Sequence, residues 1–111
     1  MRVGADIEQV ERFKKNLGNS GFLESVFTPA EISYCEAKAE PHLSFAGKFC
    51  AKEAVIKSFG GGILPRDIEV LNTEAGSVYV NVRGRPEPMI SVSISHAGEY
   101  AMAFAVRSDD G

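Results

Sequence analysis

At 111 residues, with 44% hydrophobic and 24% charged side chains, the chain is long enough for one domain with its own core and too apolar to be disordered. Twelve Lys and Arg against 15 Asp and Glu leave a formal net charge of -3, which argues against nucleic acid as the main partner. No stretch approaches the roughly 18 uncharged apolar residues of a membrane span, no export leader precedes the first strand-like residues, and two cysteines at no metal spacing read as free thiols of a reducing, cytoplasmic compartment.

"RVGAD", Arg2 to Asp6, alternates with Val3 and Ala5 on one face and Arg2, Gly4 and Asp6 on the other, which predicts a short strand. "IEQVERFKKNL" then has helical spacing through Ile7, Val10, Phe13 or Lys14, and Leu17, with Asp6 placed as N-cap and Gln9 completing a capping box. Gly18 to Gly21 should end that helix. "TPAE" at Thr28 to Glu31 is a second helix start, with Thr28 to cap, Pro29 in the first position and Glu31 in the capping box. That helix is expected to stop near Lys38, before Pro41. A long one follows, from about His42 to Phe59, ended by Gly60, Gly61 and Gly62.

The second half changes period. "DIEVLN" and "SVYVNV" predict two strands around a turn built on Asn72, Glu74 and Gly76. "GRPEP" is a connection. "ISVSIS" puts Ile90, Val92 and Ile94 on one face and three serines on the other, and "HAGE" turns the chain into "YAMAFAV", apolar on both faces like a central or covered strand. Helices first and an antiparallel meander second, with the N-terminal strand free to join, indicate a small α+β layer structure.

The long helix carries the chemistry. Counted at about 100° per residue, Glu53 falls inside the apolar arc of Phe45, Ala46, Phe49, Cys50 and Ile56, while Lys48 and Lys52 lie toward the other flank. A lone carboxylate there needs a partner or a proton. Lys57, one turn on, can supply an ion pair worth only about 0.3–0.5 kcal/mol; a metal or catalytic role is the other reading. Asp6 is the natural second acid, with Gly4 before it leaving room for a ligand; capping alone would also explain it. Two acids suit Mg²⁺ when phosphate oxygens and waters complete its shell. The Gly60–Gly62 run can offer backbone N–H groups to a phosphate or act simply as a stop, and His96 can bind ligand or tie its own turn. Cys35 and Cys50 read as core filler.

Four pieces in this order resemble the 4'-phosphopantetheinyl transferase superfamily, in its small holo-acyl-carrier-protein synthase type: "GAD" at 4–6, "KFCAKEAVIK" at 48–57, "DIEVLNTEAG" and "SISHAGEYAMAFAV". The resemblance covers nearly the whole chain. It implies one domain over residues 1–107, an antiparallel sheet packed against a long helix, with 108–111 as a disordered tail. It further implies transfer of the 4'-phosphopantetheine arm from coenzyme A to a serine of an acyl or polyketide-type carrier protein, releasing 3',5'-ADP. Asp6 and Glu53 would hold Mg²⁺ with the coenzyme A pyrophosphate, Glu53 would take the serine proton, and Lys57 would stabilise the transferring or leaving phosphate. Lys48, Ser95 and His96 would line the coenzyme A site, with Gly60, Gly61 and Gly62 near its nucleotide end. Arg12, Lys14 and Lys15 would dock the carrier's acidic helix, and the subunits would form a homo-oligomer, as a trimer with sites at subunit boundaries.

Two segments are shorter than that family's pattern: Gly60 to Arg66 after the long helix, and "RPEPM" at 85–89, where another helix is usual. These fall near the expected coenzyme and subunit surfaces. They motivate an alternative of the same fold, a non-catalytic partner that binds carrier protein or coenzyme A.

Overall fold

The computed structural model of the protein describes residues 1–108. The chain runs β1 (Arg2–Gln9), α1 (Val10–Asn16), α2 (Ser20–Val26), α3 (Pro29–Glu36), α4 (Pro41–Phe59), a 3-10 turn (Pro65–Asp67), β2 (Ile68–Asn72), β3 (Val78–Val82), β4 (Arg85–Pro86), β5 (Ile90–Ala97) and β6 (Tyr100–Arg107). Two antiparallel three-stranded sheets result, ordered β1-β6-β5 and β2-β3-β4. This is the α+β layering expected from the sequence.

Helix α4 lies between the layers. Pro41 opens it within the first turn, where a missing N–H is harmless, and Gly60 closes it at φ 77°, a left-handed position that glycine takes without strain. Every residue from Phe45 to Val55 is buried except Glu53. A helix covered on all sides needs a small-residue bed, and β6 supplies Ala101, Ala103 and Ala105, all buried on its inner face. Next to them Ile90 is buried and Val92 and Ile94 half-buried on β5, with Ser91, Ser93 and Ser95 outward, as the alternation predicts.

The N-terminal region differs from its sequence reading. The strand continues through Gln9, paired residue by residue with β6 from Arg2↔Arg107 to Gln9↔Tyr100, so Asp6 is mid-strand and not a helix cap. Helix α1 starts only at Val10, with Gln9 as its cap residue. Eight ladder positions along β6 outweigh the helical spacing of Ile7, Val10 and Leu17. A further helix, α2, was not anticipated; Asn19 caps it by accepting from Phe22 N–H at 3.0 Å.

The apolar stripe of β1 also faces outward. Val3 and Ile7 are 54% and 63% exposed, and beside them on β6 Met102 and Phe104 are 42% and 43% exposed. The inward face of β1 is instead Gly4, Asp6 and Glu8. Between β3 and β5 no helix intervenes: Arg83 and Gly84, both at positive φ, turn the chain in a hairpin into β4. Of the tail expected at 108–111, Ser108 donates its N–H to Met89 O at 2.9 Å, and the rest lies outside the described residues.

Sequence spacing put Lys52 toward the other flank from Glu53, and the structure buries it completely. Its ammonium pairs with Glu31 of α3, also fully buried, at 2.5 Å, and donates to Val26 O, Pro65 O and Ile68 O at 2.9, 3.0 and 2.6 Å. Glu31 in turn accepts from Thr28 N–H at 2.9 Å, closing the capping box, and from Val70 N–H at 2.6 Å. One charge pair thus ties α2, α3, the 3-10 turn and β2 to α4. Replacing Lys52 by Met leaves the Glu31 carboxylate buried without its cation, and the loss should be about 3–5 kcal/mol. Urea unfolding followed by circular dichroism measures it; a midpoint within error of the native protein would contradict this role for the pair.

Candidate functional site

The inward face of β1 meets α4 at Gly4. A Cβ built there would stand 1.9 Å from Ala54 O, a contact no side chain can accept. Gly4 therefore admits the helix backbone, where the sequence suggested room for a ligand. Because side chains two apart on a strand share a face, this close seat also aims Asp6 and Glu8 toward α4.

Asp6 is half-buried, and its Oδ2 is buried with no hydrogen-bond donor. The Cys50 thiol donates to Ala101 O at 3.4 Å and also interacts with the Asp6 carboxylate, whose charge and side-chain contact add to the burial that raises the thiol pKa. The other carboxylate oxygen, Oδ1, meets Lys57 Nζ at 3.4 Å, and the same ammonium donates to Ala5 O at 2.9 Å. Lys57 thus turns to the strand and does not form the i,i+4 pair with Glu53 that its spacing allowed. Burial is the main force raising the Glu53 pKa, and the charge of Asp6 comes next; Glu8 adds to the rise, while Lys57 and Arg12 oppose it. Asp6 and Glu53 are therefore electrostatic neighbours across the β1–α4 seam. A cleft of ≈ 300 Å³ lined by Ala5, Asp6, Ile7, Lys57 and Met102 opens beside them.

Glu8 is the residue that sequence reading missed. Its carboxylate pairs with Arg12 at 2.7 Å, and the Arg12 guanidinium lies 5.7 Å and 5.5 Å from the Phe13 and Phe49 ring centroids. Assigning Glu8 to a helix hid its i,i+2 relation to Asp6. The signal was present in the alternation "ADIEQ", which keeps a strand period past Asp6.

The chemistry of the donor set fits a hard divalent cation. Two carboxylates, one with an orphaned buried oxygen, match the few-ligand mode by which Mg²⁺ is held when phosphate oxygens and water fill the shell. Among the described residues no three His, Cys, Asp or Glu side chains already stand together as a metal-holding group. Substrate oxygens would be needed to complete the shell.

Lys48 and His96 are brought together elsewhere. Lys48 is buried, donates to Val70 O at 2.7 Å and Asn72 Oδ1 at 2.8 Å, and its ammonium sits 4.5 Å from the Tyr34 ring centroid; burial lowers its pKa. His96 Nε2 lies 2.9 Å from Leu43 O, and a Cβ on Gly47 would come within 3.1 Å of the imidazole. Both line a cleft of ≈ 210 Å³ with Tyr34, Ser44, Gly47 and Asn72. Strand alternation separates Ser95 from it: Ser95 points to the opposite sheet face from His96. Lys48 and Glu53, five residues apart, lie about 140° apart around α4. One face of the helix serves the acids and another serves this cleft.

Gly60, Gly61 and Gly62 all adopt positive φ, at 77°, 105° and 79°, and a Cβ on any of them would meet only open space. The loop is conformationally demanding but sterically uncrowded. Arg83 of the β3–β4 hairpin donates to Gly62 O at 3.3 Å. Arg12, Lys14 and Lys15 are all exposed on α1, with both lysines in its last turn.

The sequence profile described as the 4'-phosphopantetheinyl transferase superfamily matches residues 2–105. A holo-[acyl-carrier-protein] synthase of Ruminiclostridium cellulolyticum is 43% identical, over 97% of this chain and 92% of its own length. Among solved structures, a holo-(acyl-carrier-protein) synthase from Bacillus anthracis in complex with CoA (3',5'-ADP) superposes with a TM-score of 0.82 at 32% identity, covering 96% of this chain and 94% of that one. The Helicobacter pylori holo-[acyl-carrier-protein] synthase in complex with coenzyme A gives 0.82 at 28%, covering 96% and 99%.

Gly4→Ala must lift β1 from α4, and a displacement of Asp6 by about 1 Å should lower turnover about 10²-fold or more; unchanged steady-state rates would refute that seating. Burial pushes the Cys35 and Cys50 thiols up to about 12, so neither should titrate with a disulfide reagent at mildly alkaline pH until the protein is unfolded.

Proposed function

The chain belongs to the 4'-phosphopantetheinyl transferase superfamily, as a small single-domain enzyme of the holo-acyl-carrier-protein synthase type, and on that premise we propose that Asp6 and Glu53 hold the magnesium ion at which it works. The enzyme transfers the 4'-phosphopantetheine arm of coenzyme A to a serine hydroxyl of a carrier protein. The observation that favours the cation assignment is the buried Oδ2 of Asp6, which has no hydrogen-bond donor, on a carboxylate whose charge helps raise the Glu53 pKa. A magnesium ion held by these acids would supply Lewis-acid stabilisation of the charge on the pyrophosphate.

In this reading Glu53 accepts the serine proton, directly or through one water. The serine oxygen bonds to the phosphorus that carries the arm, the bond from that phosphorus to the bridging oxygen breaks, and 3',5'-ADP leaves with the electron pair. Lys57, with a side chain 55% exposed, can swing its ammonium onto the phosphate where charge develops. Gly60, Gly61 and Gly62 lie next along the chain and offer a loop for the nucleotide end. Arg12, Lys14 and Lys15 give α1 a cationic surface for the carrier's acidic helix.

Lys48 and His96 are assigned to the coenzyme A site as well, on the far side of α4. The exposed Val3, Ile7, Met102 and Phe104 offer an apolar surface for a second subunit. We take the assembly to be a homotrimer with shared sites. Ser95, on the outward sheet face, is then placed toward that boundary. Residues 1–107 form the one catalytic domain, and a coenzyme A donor with two reduced thiols supports a cytoplasmic setting.

Glu53→Gln removes both the proton acceptor and an anionic ligand, so transfer should fall by about 10²–10⁴-fold while the helical circular dichroism is retained. Intact mass of an acyl carrier protein, incubated with coenzyme A and Mg²⁺, reads the arm directly. Persistent modification by this variant would remove Glu53 from the mechanism. Phe104→Glu should shift the sedimenting species to monomer and lower activity with it; an unaltered assembly would show that another surface is used.

A further inference from the structure

The β3–β4 hairpin breaks the residue rule of its own turn. With Asn81 paired to Pro86 and Val82 to Arg85, only Arg83 and Gly84 are left to reverse the chain, at φ 51° and 80°. A two-residue turn with both central residues left-handed favours Asn-Gly, because a larger side chain has its Cβ crowded there. Arg83 is the one residue other than glycine at positive φ among the described residues. What the arginine supplies is reach. Its N–H donates to Asp67 O at 2.7 Å, while its guanidinium donates to Gly62 O at 3.3 Å and stands 3.8 Å from Asp67 Oδ2. That same carboxylate oxygen accepts from Leu64 N–H at 3.0 Å.

The hairpin thus holds the far end of the glycine run, as the Gly60 N–H bond to Lys57 O at 3.2 Å holds the near end. No side-chain packing orders the loop between them, since a Cβ on Gly60, Gly61 or Gly62 would meet only open space. Glycine also loses more freedom on ordering than any other residue. With its side chain 62% exposed, the Arg83 ion pair adds little to the stability of the fold. Its effect falls on the loop.

We propose that Arg83 is a positioning residue for coenzyme A, its guanidinium fixing the Gly60–Gly62 loop in the shape that meets the nucleotide end. The inference rests on the reading above that puts the nucleotide end at this loop. A loop ordered beforehand loses less freedom when the ligand arrives, so the contribution appears in affinity for coenzyme A and not in the chemical step.

Arg83→Asn and Arg83→Gly both suit the turn and keep the hairpin while removing the guanidinium. In each, the backbone ¹⁵N order parameters of Gly61 and Gly62 should fall in the ligand-free protein. The KM for coenzyme A should rise about 2–10-fold with kcat retained. Unchanged order parameters in both variants would overturn the clamp, whatever the KM. Lower order parameters with an unchanged KM would overturn the positioning role, as would a loss confined to kcat. The nucleotide reading is tested apart, in the native protein titrated with 3',5'-ADP. The Gly60–Gly62 amide resonances should shift; resonances that stay in place at saturation would overturn that reading and this inference with it.

Discussion

An ammonium group sealed away from water is tolerable only if its charge and its three protons are all answered, and Lys52 meets that condition with one carboxylate and three backbone carbonyls. Those partners come from four different elements. The geometry that satisfies the ion therefore also sets how α2, α3, the 3-10 turn and β2 sit around α4. Non-directional apolar packing permits some sliding between helix and sheet; a pinned charge does not. The neighbouring residue is Glu53, about 100° further round α4, so the anchor at Lys52 also fixes the direction in which the acid is presented.

That presentation depends on a backbone contact at Gly4. With Ala54 O where a Cβ would be, β1 comes closer to α4 than ordinary side-chain layers allow. Close approach shortens the reach from strand to helix and brings Asp6 and Glu53 within electrostatic range in a partly desolvated seam. The like-charge tension this creates is offset by Lys57 and Arg12 from the two flanks. A divalent cation would relieve it further, which is a physical reason for such a seam to bind one.

Some of this could be read from residue order and some could not. The pairing of a Gly-x-Asp strand with a Lys-Glu helix was recoverable, because each lies in a motif with fixed spacing. The alternation of Ile90, Val92 and Ile94 against three serines likewise gave the correct buried face of β5. The end of β1 was not recoverable: Ile7, Val10 and Leu17 happen to fit a helix, and only the eight-residue ladder with β6 decides otherwise. That misassignment concealed Glu8. Nor does periodicity say that the apolar stripe of β1 faces outward, since a surface awaiting another subunit looks the same in sequence as one facing a core. Angle alone put Lys48 and Lys52 toward the other flank from Glu53; their burial becomes intelligible only once carbonyl and carboxylate partners distant in sequence are seen.

The sealing of α4 bears on how the enzyme fails. Glu53 interrupts an otherwise unbroken buried run from Phe45 to Val55, so the acid is mounted on the least yielding part of the molecule. Fraying of termini or loops cannot disarm it, because no low-stability segment carries it. Thermal inactivation on the acidic side should then coincide with loss of the whole fold in one cooperative step, with little inactive but still folded material on the way.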